Sequence, residues 1–176
     1  AEQLKGTDIA PQLPCGFPCG CVPTSIKKAE VIQAIEDGAR EVDMVINLAR
    51  LVDKDYKFVE NDIRTVVDAA GTAGIKVKAI IEIGLIQDAD KKAALEIACA
   101  AGAAYVKTCT GFAEGRATVR EVAQLKEWAK GRIKIKATGG VASLEDAQAF
   151  IDAGADRVAG RFNFVSQMKS LGIAGF

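Results

Sequence analysis

The chain has 176 residues, 49% of them hydrophobic and 26% charged, which suits one soluble domain spanning 1–176. Its 23 basic and 23 acidic side chains balance, so there is no general electrostatic case for a nucleic-acid or membrane partner. The absence of histidine removes histidine triads and imidazole-ligated zinc, and the five cysteines (Cys15, Cys19, Cys21, Cys99, Cys109) show neither a disulfide framework nor zinc-ribbon spacing, so no metal or cofactor is expected.

Residues 1–6 read as the last turn of a helix closed by Gly6. A short strand is predicted over 13–17. Pro23-Thr-Ser then opens a helix that ends at Gly38, with Ile26, Ala29, Ile32, Ala34 and Ile35 as its apolar side. Residues 41–48 alternate cleanly, with Val42, Met44, Ile46 and Leu48 on one face and Glu41, Asp43, Val45 and Asn47 on the other. The helix expected over 55–70 buries Phe58, Val59, Ile63, Val66 and Val67. A strand over 76–83 carries the carboxylate Glu82 just before Gly84, and a helix follows over 88–101. Next comes an apolar run, 104–111, with Lys107 in its middle; period two places Tyr105, Lys107 and Cys109 on one face and Val106, Thr108 and Thr110 on the other. Cys109 is expected to be packing.

Thr118-Val-Arg-Glu121 is a capping box for a helix reaching about Lys130. The strand that follows, 133–140, has Lys134 and Lys136 on one face and ends in Gly139-Gly140. Ser143-Leu-Glu-Asp146 starts another capped helix that ends at Gly154, Arg157–Gly160 is a final short strand, and a terminal helix closes the chain. The most apolar segment, 93–106, is too short to span a bilayer and contains Glu96, and the N-terminus lacks a signal-peptide pattern, so the chain reads as cytoplasmic.

Strands and helices alternate throughout, which predicts a parallel sheet with right-handed crossovers. Asp43, Glu82, Lys107 and Lys136 put charge on one face of four successive strands. A doubly wound sheet, covered by helices on both sides, has no place for that face, whereas a closed barrel uses it as the interior. The expected fold is therefore α/β, a TIM-type (β/α) barrel with six of its eight strands. An open six-stranded sheet leaves two bare edges, so a homo-oligomer or a complementing N-terminal segment is expected to cover them.

Lys107 and Lys136 lie one strand-helix-strand unit apart and so can stand side by side. An unperturbed lysine is almost wholly protonated at neutral pH; a second ammonium beside it favours the neutral amine, which can capture an aldehyde as an imine. A protonated imine draws electrons from the adjacent carbon and lets a carbon–carbon bond form or break without a metal. Asp43 is the carboxylate best placed to move the protons. Gly139-Gly140 before a capped helix could hold phosphate, and glycine is equally used there for turn geometry alone.

Glu41-Val-Asp-Met-Val-Ile-Asn47, Tyr105-Val-Lys-Thr-Cys-Thr-Gly-Phe112 and Ile135-Lys-Ala-Thr-Gly-Gly-Val141, with Gly16-Phe-Pro18, together resemble the deoxyribose-phosphate aldolases, from residue 1 to about residue 160. The resemblance implies a class I aldolase that reversibly cleaves 2-deoxyribose 5-phosphate to acetaldehyde and glyceraldehyde 3-phosphate. It makes Lys107 the Schiff-base lysine, Lys136 the lysine that lowers its pKa, and Asp43 part of a proton relay. Thr110, Gly111, Gly139, Gly140, Gly160 and Arg161 are then the substrate- and phosphate-binding positions.

The chain departs from that pattern in three places. The family's first two barrel strands have no counterpart, Ala142 stands where an arginine is usual, and Gly160-Arg-Phe-Asn163 replaces the small hydroxyl-bearing turn that holds phosphate. Arg161 either supplies the missing cation or blocks the pocket. Two further readings stay open: another imine-forming enzyme, such as a dehydratase, a transaldolase-like enzyme or an aldolase for a different aldehyde, and a catalytically impaired barrel fragment serving as an assembly or scaffold piece.

Overall fold

The computed structural model describes residues 1–161, 163–170 and 172. Phe162, inside the Gly160–Asn163 turn, and Leu171 and residues 173–176, at the end of the expected terminal helix, lie outside the described residues. The strands are β1 (Gln12–Cys15), β2 (Glu41–Val45), β3 (Lys76–Ile80), β4 (Tyr105–Lys107), β5 (Lys134–Thr138) and β6 (Arg157–Ala159). Between and after them run the helices α1 (Thr24–Glu36), α2 (Leu48–Val52), α3 (Tyr56–Gly71), α4 (Asp88–Ala100), α5 (Val119–Ala129), α6 (Leu144–Asp152) and α7 (Phe164–Ser170). Residues 1–6 make one 3-10 turn, Glu2–Leu4, followed by Gly6 at positive φ.

All strand pairs are parallel and the spatial order is the chain order, β1 to β6. A doubly wound sheet would reverse direction partway; this one winds one way only, as a barrel does. Its curl can be read from two contacts. Gln12 on β1 accepts a hydrogen bond from Lys136 on β5, and Glu41 on β2 accepts one from Arg157 on β6. Four strand spacings in a flat sheet come to about 19 Å, so those side chains meet only because the sheet bends round on its polar face. The result is a partial (β/α) barrel of six strands.

The helices cover the outer face. Val42, Met44, Val77, Ala79, Val106, Ile135 and Ala137 point outward into one continuous apolar core with Val59, Ile63 and Val66 of α3 and Leu95 of α4. Each fully buried Val, Ile or Leu contributes about 1.5–3 kcal/mol. The helix starts follow local chemistry. Asp55 accepts from the Phe58 N–H at the start of α3, and Thr118 and Glu121 form the reciprocal capping box of α5. At α6 the box is only half made: Ser143 accepts from the Asp146 N–H, but the Asp146 carboxylate takes the Ala142 N–H.

Two expectations fail. The strand over 41–48 stops at Val45, because the Asn47 side chain accepts from the Arg50 N–H and starts α2, a helix that alternation alone hides. On α1 the buried residues are Lys27, Val31 and Ala34, while Ile26 and Ile32 are nearly half exposed. The helix turns this way because Lys27, fully buried, donates to Asp62 of α3 at 2.5 Å and to the Val45 carbonyl at 2.9 Å, and Thr24 donates to the other Asp62 oxygen at 2.7 Å. Among the described residues no helix is long and apolar enough to cross a membrane.

Candidate active site

Strand register brings the lysines together. Lys107 pairs with Lys136 across β4 and β5, Lys136 with Arg157 across β5 and β6, and Asp43 with Lys78 across β2 and β3. Even spacing turns all of them toward the concave side. There the Lys107 and Lys136 ammoniums donate to the same oxygen of Asp43, Oδ2, at 2.7 and 2.9 Å. Lys78, with no exposed surface, donates to Asp43 Oδ1 at 2.9 Å and to Gln12, and lies 2.7 Å from Glu41 Oε2. Arg157 donates to that Glu41 oxygen at 2.5 Å and lies over the Tyr105 ring. Lys78, Glu41, Gln12 and Arg157 went unremarked as site residues, although Lys78 and Glu41 share the inward parity of Asp43; a charged alternating strand reads equally well as a solvated face.

The cluster holds four cations, Lys78, Lys107, Lys136 and Arg157, against two carboxylates, Glu41 and Asp43, a surplus of two positive charges. Burial pushes Lys136 down to about 8; Lys107 and Lys78 add to this, and Asp43 works against it. Burial alone would raise Asp43, but Lys107, Lys136 and Lys78 outweigh it and hold the carboxyl below its usual range. An amine can therefore be neutral near physiological pH while the carboxylate stays charged beside it.

A cavity of about 560 Å³ opens at the C-terminal ends of β4, β5 and β6, the catalytic end of a barrel. Lys107, Thr110, Gly111, Gly139, Gly140, Gly160 and Arg161 all line it. Lys136 and Asp43 do not; they meet the cavity through Lys107. Gly140 is required by geometry, since a Cβ there would stand 2.7 Å from the Ala117 carbonyl oxygen. The α6 N-terminus is less open to an anion than Gly139-Gly140 suggested, because Asp146 already occupies the Ala142 N–H. Arg161 reaches in from beyond β6, donating to the Gly111 carbonyl and lying 5.6 Å from the Phe112 ring centre.

Three side chains depart from strict alternation. β4 ends at Lys107, so Thr110 swings into the cavity, and Cys109, expected beside Lys107, turns into the apolar core, where burial pushes its thiol up to about 11. Glu82, expected on the charged inner face, forms no ion pair among the described residues and accepts instead from the Thr110 N–H.

No family model matches the chain. A curated deoxyribose-phosphate aldolase from Streptococcus sanguinis is 49% identical over 158 residues, which is 90% of this chain and 71% of that protein. A solved aldolase structure superposes with a TM-score of 0.85 at 38% identity, covering 89% of this chain and 70% of its own. The tetrameric deoxyribose phosphate aldolase from Aeropyrum pernix superposes with a TM-score of 0.86 at 29% identity, over 97% of this chain and 71% of its own. Identity near one half over nine tenths of the chain, on a shared fold, establishes that the chain belongs to the deoxyribose-phosphate aldolase family.

Proposed function

We propose that the chain is a class I aldolase that reversibly cleaves 2-deoxyribose 5-phosphate to acetaldehyde and glyceraldehyde 3-phosphate. The observation that carries this reading is the single Asp43 oxygen shared by the Lys107 and Lys136 ammoniums. Lys107 alone of the three interior lysines lines the cavity, so it is the nucleophile, and Lys136 and Asp43 act from behind it. The neutral Lys107 amine attacks the aldehyde carbon of the open-chain sugar, and loss of water gives the imine, protonated on nitrogen. A base takes the proton of the C3 hydroxyl; the C2–C3 bond breaks as C3 becomes a carbonyl, its electron pair flows toward the C1 iminium to give an enamine, and glyceraldehyde 3-phosphate leaves. Protonation of the enamine carbon followed by hydrolysis releases acetaldehyde and restores the amine. Asp43, with Lys136 on the same oxygen, is the relay for those protons.

The phosphate end is assigned to Thr110, Gly111, Gly139, Gly140 and Gly160, with Arg161 supplying the cation. The finer readings of assembly and place, a homo-oligomer or a complementing segment along the open β1 and β6 edges and a cytoplasmic location, belong to this proposal too. Borohydride reduction in the presence of acetaldehyde, followed by peptide mass mapping, tests the chemistry: a reduced adduct on Lys107 is expected, and no adduct on any lysine refutes it. Turnover of 2-deoxyribose 5-phosphate well above that of unphosphorylated deoxyribose is expected to accompany it, with the preference reduced in R161A.

A further inference from the structure

The pairing of the segments that follow β3 and β4 breaks step beside Lys107. In a parallel ladder successive bonded residues advance by two on both strands. Here the Ile81 N–H donates to the Lys107 carbonyl, and the Ile83 N–H donates to Thr108, not to the residue after it. Beyond the ends of β3 at Ile80 and β4 at Lys107, two residues of one segment therefore face one of the other, a bulge-like step whose extra residue is Glu82, just before the 3-10 turn Ile83–Leu85. Glu82 has φ 44° and ψ 62°, a left-handed conformation in which glycine is at ease and a long side chain is strained. It is also buried, 2% exposed, and its two carboxylate oxygens accept from the Thr110 N–H at 3.0 and 3.2 Å. Thr110 Oγ1 in turn accepts from the Phe112 N–H, and Arg161 closes the turn by donating to the Gly111 carbonyl. The segment after Glu82 supports the same loop from below, where a Cβ on Gly84 would stand 2.7 Å from the Glu114 carbonyl oxygen.

We propose that Glu82 is a positioning residue of the aldolase site: the bulge turns its carboxylate out of the inward series and onto the Thr110 N–H, which holds the 110–112 turn in the form that lines the substrate cavity. The diversion has a second consequence. Regular alternation would place a third carboxylate on the concave face beside the amines; the bulge keeps it out and preserves the surplus of positive charge there. This inference rests on the aldolase reading above, and its test separates the two.

Glycine at position 82 would relax the backbone and remove the acceptor, so the two effects oppose each other. In E82G the KM for 2-deoxyribose 5-phosphate is expected to rise about tenfold, while resistance to denaturant is kept and borohydride trapping of acetaldehyde at Lys107 stays within about twofold of the unmodified chain. E82Q keeps an oxygen acceptor and is expected to bring the KM back to within about threefold. Hydrogen exchange supplies a readout independent of turnover: the Thr110 amide is expected to be protected in the unmodified chain and in E82Q and to exchange freely in E82G. An unchanged KM in E82G overturns the proposal, as does a KM that rises in step with lost trapping and lost stability, or an unprotected Thr110 amide in the unmodified chain. If the unmodified chain traps no aldehyde, the aldolase reading fails, and the exchange of the Thr110 amide still decides for or against the role of Glu82.

Discussion

Two buried lysine–aspartate contacts lie on opposite sides of the sheet and have opposite consequences. Outside, between α1 and α3, Lys27 and Asp62 are 0% and 1% exposed at their side chains and pair one to one at 2.5 Å, with Thr24 and the Val45 carbonyl completing their hydrogen bonds. Inside, Asp43 is shared by three lysines, and Glu41 by Lys78 and Arg157. The outer pair is neutral as a unit. The inner cluster carries two charges too many, and shedding a proton from an amine relieves it. Burial is common to both, so stoichiometry is what distinguishes the inner cluster, proposed to be reactive, from the outer pair.

That contrast is broken most sharply by removing one lysine from each group. K107M is expected to abolish borohydride trapping and to lower kcat/KM at least about a thousandfold. Its stability should hold or rise, because Asp43 keeps Lys136 and Lys78 and a surplus cation has gone. K27M should do the reverse. It leaves Asp62 buried with only the Thr24 hydroxyl, which costs about 3–5 kcal/mol, a large part of the roughly 5–15 kcal/mol available to a domain. Trapping kinetics should be unchanged in the folded fraction. Denaturant titration measures the loss, and the double variant K27M/D62L should recover much of it, since replacing both members leaves no charge unpaired. A stable K27M, or an unstable K107M, would undo the distinction.

How much of this was legible depends on how local each signal is. The barrel class and the set Asp43, Lys107 and Lys136 follow from period two and strand order, which are local and additive. Lys78 and Glu41 obey the same parity and were visible in principle; what hid them is that their value lies in neighbours 35 and 116 residues away. Lys27 was illegible for a different reason. Helical periodicity ranks Ile26 and Ile32 above a lysine, and only the position of Asp62 on α3 makes burial of the charge favourable. Cys109 and Glu82 fail because alternation carries no mark of where it stops: β4 ends after three residues and β3 ends at Ile80, and neither event has a distinctive residue at the spot. The α6 terminus fell to competition, a carboxylate one turn in having taken the N–H that an anion would use.

The smallest expected effect tests the surplus itself. Lys136 has its folded pKa lowered from 10.5 to about 8, so between those values the unfolded chain holds a proton that the folded one releases. Stability from this group therefore rises with pH across that window, and the penalty is complete below it. Lys136 shares the Asp43 oxygen that Lys107 uses, so its neutral amine can take up the proton that Lys107 sheds on attack, and the rate of imine trapping should climb through about pH 8 to a plateau. K78M removes an ammonium from the far oxygen of Asp43, halves the surplus and strengthens the hold of Asp43 on the remaining amines. Both changes favour the protonated lysine, so the midpoint should move up, by no more than about one unit. It cannot return to the value of a free lysine, since burial, the largest cause of the shift, remains. A pH–rate profile of K78M with a midpoint at or below that of the unmodified chain would mean that burial alone tunes the amine, and that the third lysine holds Asp43 in place without contributing to its chemistry.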